Sequence, residues 1–126
     1  MIDEVYVHIC LIVLYPQSSA RDHWIEEIRA FIPRVKRISS TKRFPKSQWL
    51  YSIFSQELAD MIDVFRTEAI QKENNSNYID VDDNYLERVC DQYSKWLATE
   101  LSVNGTVSLQ EVRDQIDQIT TDKRRT

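Results

Sequence analysis

The chain has a single glycine, Gly105, among 126 residues, where ordinary usage of about 7% would supply roughly nine. Glycine tolerates positive φ and lets backbone approach a ligand closely. Its scarcity excludes a Gly-rich phosphate loop, a dinucleotide fingerprint and any series of tight hairpins. Cysteine is scarce as well. Cys10 and Cys90 are too few for a disulfide framework, and nothing before them reads as a secretory signal. Long hydrophobic runs are missing too. The longest, Val5 to Tyr15, is interrupted by His8, falls short of the ~20 residues a membrane span needs, and follows Asp3 and Glu4 rather than cations. These absences predict a cytoplasmic protein with free thiols and no membrane contact.

What is present describes a folded domain. Apolar residues make up 42% and charged residues 29%, the balance of a globule rather than a disordered tail. The length suits one domain with one core. A net charge of −4 argues against indiscriminate coating of DNA.

Residues 2–15 are nearly continuously apolar and rich in Val and Ile, so periodicity alone does not separate a buried strand from a buried helix. No partner strand is evident elsewhere, and an isolated strand leaves its ladder groups unpaired, which predicts a helix. Pro16 ends it. Ser19, with Asp22 three residues later, reads as the next helix start. Trp24, Ile28, Phe31, Val35 and Ile38 then form one stripe, interrupted or split at Pro33. Ser39 to Arg43 is a polar loop.

A long helix opens at Pro45 or Lys46 and carries Leu50, Ile53, Phe54, Leu58, Met61, Ile62, Phe65 and Ala69 on one face. Asn74 to Asn77 breaks the chain. Asp80, Asp82 and Asp83 precede a further helix with Leu86, Val89, Cys90, Tyr93, Trp96, Leu97 and Leu101 inward, and carboxylates there meet the positive end of the helix dipole. Asn104-Gly105 is a turn, and Ser108 with Glu111 fits a capping box opening a last helix lined by Leu109, Val112, Ile116 and Ile119. The expectation is an all-α fold: residues 1–121 as one single-domain bundle of four to five helices, and 122–126 as a flexible charged tail.

Charge distribution is the most unusual surface feature. Between Glu27 and Glu57 there is no acid, yet Arg29, Arg34, Lys36, Arg37, Lys42, Arg43 and Lys46 all fall there. Beside them stands Trp49, at the start of the long helix, while Trp24 and Trp96 belong to core stripes. Arg34, Lys36, Arg37, Lys42, Arg43, Lys46 and Trp49 are the candidate binding residues. Such a strip suits an acidic protein face, where complementary charge raises the association rate. It also suits phosphates held by charge while an aromatic stacks on a base. The plainer alternative is a solvated loop balanced by acids of its own fold.

Catalytic and metal constellations are not apparent. Glu26-Glu27 and Asp82-Asp83 are adjacent pairs, whose members point in different directions on a helix. Cys90 lies mid-helix on the core face, where a thiol is inert. His8, Cys10, His23 and Cys90 show no metal-ligand spacing. Glu100 to Glu111 superficially resembles an EF-hand loop, with Gly105 sixth and Glu111 twelfth, but Glu100, Ser102 and Asn104 stand at the first, third and fifth positions and no second loop exists. A non-enzyme without cofactor or metal follows.

His8, Tyr15-Pro16, Trp24-Ile-Glu-Glu-Ile28 and the helix start Phe44-Pro45-Lys46-Ser47 together resemble the helical bacterial family known as domain-of-unknown-function family 29. The likeness covers about residues 5–70; the family's usual first helices are missing and residues 75–126 depart from its ending. It implies an all-helical fold and transfers no functional residue. The sequence thus points to a small non-catalytic protein–protein interaction module, whether regulator, inhibitor, immunity-type protein or accessory subunit. The alternative is a nucleic-acid-binding accessory protein using the 34–46 loop. A homodimer that covers residual apolar stripes is also compatible with the pattern.

Overall fold

Helix α1 (Ile2–Leu14) is the element around which the others gather. From Val5 through Tyr15 every residue except His8 is buried. Val5, Val7, Ile9, Ile12 and Val13 are β-branched and favour strands in isolation. Enclosure on every side overrides that preference, and the helix satisfies its backbone bonds within the segment. The computed structural model describes residues 2–33, 60–73 and 78–124.

The end of α1 is closed from two directions. The Tyr15 N–H donates to the Leu11 carbonyl at 2.9 Å, and the Leu14 carbonyl accepts from the Ile79 N–H at 2.8 Å, so a distant extended segment satisfies a helix-terminal acceptor. The chain then turns at Pro16 into α2 (Arg21–Ala30). The expected Ser19 cap is not used. Ala20 precedes the first turn and makes no side-chain cap, and Ser18 does the local work. Its hydroxyl accepts from the Ala20 N–H at 3.1 Å and donates to Glu73 Oε2 at 3.1 Å, two partners that only the turn geometry at position 18 brings within reach. Asp22 lies in the first turn and Arg29 in the last, both favourable to the dipole. Trp24, Ile25 and Ile28 are buried, and the helix stops at Ala30; after a turn at Phe31 the chain is helical again at Ile32 and Pro33.

Residues 60–72 form α3, with Ile62, Phe65 and Ala69 buried and Met61 partly so. The expected beginning of this helix, from Pro45 to Leu58, lies outside the described residues, as do Val35, Ile38, the 39–43 loop and the Asn74–Asn77 break. Helix α4 (Asp83–Val103) starts at Asp82, whose side chain accepts from the Tyr85 N–H at 2.8 Å. Leu86, Val89, Cys90, Tyr93, Leu97 and Leu101 are buried, with Trp96 partly buried against them. It ends as the sequence predicts: Gly105 adopts φ +75° and donates to the Leu101 carbonyl at 3.1 Å.

Helix α5 (Leu109–Arg124) opens on the capping box. The Ser108 N–H donates to Glu111 Oε1 at 3.0 Å, and the Glu111 N–H donates to Ser108 Oγ at 3.2 Å. Val112, Ile116 and Ile119 face the core. The helix continues through Arg124, into the stretch read from sequence as a charged tail. Helix α1 packs on α2 and α4, and both of those pack on α5. The Tyr6 ring meets Phe65 of α3 at 5.4 Å between centroids. The fold is an all-α single-domain bundle, with no strand among the described residues and no described helix long and apolar enough to cross a membrane.

Candidate functional site

The candidate interface lies between α2 and α3. Arg34, Lys36, Arg37, Lys42, Arg43, Lys46 and Trp49 all fall outside the described residues. Arg29, the seventh cation of the strip, is half-buried in the last turn of α2, where the helix's carbonyl end favours positive charge. The segregation is large. Residues 28–56 carry net +7, and the remainder of the chain carries net −11.

Elsewhere, several acids are already engaged. The Arg66 guanidinium donates to Asp83 Oδ1 at 3.0 Å, to Asp80 Oδ1 at 2.6 Å and to the Tyr78 hydroxyl at 3.1 Å. The Tyr78 hydroxyl in turn donates to Asp80 at 3.1 Å. Burial works against the charge on Arg66, but its bonds to Tyr78 and Asp83 prevail and raise its pKa above the ordinary arginine value. The three aspartates read together as dipole partners therefore divide their roles: Asp82 caps α4, while Asp80 and Asp83 fix the segment before it to α3. Arg66 carries no local sequence signal, because its partners stand 14 and 17 residues away. Arg21 and Asp117 form a similar long-range pair between α2 and α5.

A second polar group sits inside the core, along the seam of α1 and α4. The Tyr6 hydroxyl lies 2.9 Å from Ser94 Oγ, and Ser94 donates to the Cys90 carbonyl at 2.9 Å. That leaves Tyr6 as the donor to Ser94. Cys10 and Cys90 are both fully buried, one on each side of the same seam. Burial pushes the Cys90 thiol well up, and Cys10 adds to the effect. Burial likewise raises Tyr6, against the opposing bond from Ser94, and raises Tyr93. Each of these groups holds its proton at neutral pH. Tyr93 is also buried, and its hydroxyl has no partner among the described residues.

His8 is half-buried at the edge of the core: its Nδ1 meets the Glu4 carbonyl, and its ring lies 6.2 Å from that of Phe31. In the 100–111 loop, Ser108 and Glu111 are committed to each other's backbone, and the Asn104 amide donates to the Glu100 carboxylate at 2.8 Å. Among the described residues no group of three or more His, Cys, Asp or Glu is placed to hold a metal ion. No family model, no curated protein and no solved structure matches the chain.

Proposed function

We propose that the protein is a small non-catalytic interaction module whose basic 34–46 strip, with Trp49, engages an acidic face of a protein partner. The observation that supports this reading is the run of seven cations without an acid between Glu27 and Glu57, set against a strongly acidic remainder. Complementary charge of that kind steers encounter and fixes orientation. Burial holds Tyr6, Tyr93 and the Cys90 thiol protonated, so this reading assigns none of the three a role as nucleophile or base. A regulator, inhibitor, immunity-type protein or accessory subunit fits this description, acting in the cytoplasm. The likeness to domain-of-unknown-function family 29 belongs to the same proposal, as a statement of ancestry.

The test compares the intact chain with a variant in which Arg34, Lys36, Arg37, Lys42, Arg43 and Lys46 are all changed to Ser. The intact chain is expected to retain one protein partner in stoichiometric amount from its native cell extract, and the variant to lose it. Retention by both, or by neither, refutes the assignment. The nucleic-acid reading rests on the same strip beside Trp49. It requires a mobility shift at low salt that weakens steeply as salt rises, since phosphate contacts release counterions.

A further inference from the structure

The α1–α4 seam holds two thiols that the interaction reading does not use. Tyr6 of α1 faces Ser94 of α4. The end of α1 meets Ile79, just before α4 begins, so the two helices run antiparallel; Cys10 stands one turn further along α1 and Cys90 one turn back along α4, which sets them on facing turns. The register is pinned by Tyr6 to Ser94, by Ser94 to the Cys90 carbonyl and by the Ile79 N–H to the Leu14 carbonyl, and it sets Cys10 across the seam from Cys90. Both side chains are fully enclosed, so each thiol is open only to the core that the two helices share.

We propose that Cys10 and Cys90 are a dithiol pair that closes to an intramolecular disulfide between α1 and α4 by exchange with a small-molecule disulfide such as glutathione disulfide. The exchange is balanced. One cysteine thiolate attacks a sulfur of the glutathione disulfide and expels one glutathione thiolate. The second cysteine thiolate then attacks the protein-bound sulfur, forming the intramolecular bond and expelling the other glutathione. Two protein thiols are oxidised, one external disulfide is reduced, and both protons pass to the departing thiolates. Enclosure makes the closed seam unreactive, so the exchange takes place during folding or when α1 and α4 part. Once the helices dock, the fixed register favours the internal bond over a mixed one. The bridge closes a loop of about 80 residues, the regime in which a cross-link most restricts the unfolded chain. This inference stands apart from the basic strip and does not depend on what that strip binds.

The full chain, reduced and unfolded, is returned to native conditions in buffers of rising glutathione disulfide to glutathione ratio, and native protein is held in the same buffers above room temperature. Intact mass and thiol titration under denaturing conditions are then read. The expected product is a monomer lighter by two hydrogen atoms, with no titratable thiol and a melting midpoint higher by roughly 10 °C. Dithiothreitol should reverse all three changes. The chain has only two cysteines, so loss of both thiols from a monomer identifies the bond without a substitution. Two persistent thiols, glutathione adducts or disulfide-linked dimers overturn the proposal.

Discussion

Tyr6 and Tyr93 are both buried tyrosines, yet the same substitution should move stability in opposite directions. The Tyr6 hydroxyl lies against Ser94, and Tyr6→Phe removes that contact while leaving a buried serine with one fewer partner. A loss of about 1 kcal/mol is expected, read from urea midpoints. Tyr93 has no partner for its hydroxyl among the described residues, so Tyr93→Phe deletes a desolvated polar atom with little change of shape. A gain of about 1 kcal/mol should follow. Gly105 supplies a third case. Its surroundings leave open space for a methyl group, but its φ of +75° does not suit one. Gly105→Ala should therefore cost about 1 kcal/mol through backbone strain alone, with no packing change.

Among the elements, helix boundaries set by neighbours in sequence were the most legible. The Ser108–Glu111 box and the Gly105 stop depend on residues three or four positions apart, and both appear where the sequence places them. Ser108→Ala should lower stability by about 1 kcal/mol and increase amide exchange in the first turn of α5, the signature of a lost cap. The stripe from Leu86 to Leu101 was legible for the same reason, since helical spacing fixes which side chains share a face. Helix α1 was ambiguous because burial on all sides erases periodicity, and only the lack of a partner strand favoured the helix. Partnerships made across the fold had no local signature. Ser18 with Glu73 and Arg66 with Asp83 are created by packing, as is the facing of Cys10 and Cys90, which is why Ser19 reads from sequence as the better cap. The candidate interface was legible only as an imbalance of charge.

For the molecule as a whole, the buried protonated groups set a limit on alkaline stability. Burial raises Cys90, Tyr6 and Tyr93 above their ordinary values of 9.0, 10.0 and 10.0, so the folded state retains protons that the unfolded chain releases. Their stabilising contribution is full below the unfolded values and is lost as pH rises toward the folded ones. The melting midpoint should accordingly begin to fall near pH 9 and drop more steeply above pH 10. Tyr93→Phe should flatten the later part of that decline, as measured by thermal scans across pH 7–11.

The enclosure of α1 also has a consequence for how the protein is made. This strongly apolar segment leaves the ribosome ahead of its cover, because Ser94, which Tyr6 must meet, follows 88 residues later. At the usual pace of translation, about 5–20 residues per second, the greasy helix waits roughly 4–18 seconds for its cover. Nascent chains arrested before Asp83 should therefore be held by chaperones or precipitate, and chains released beyond Arg124 should not.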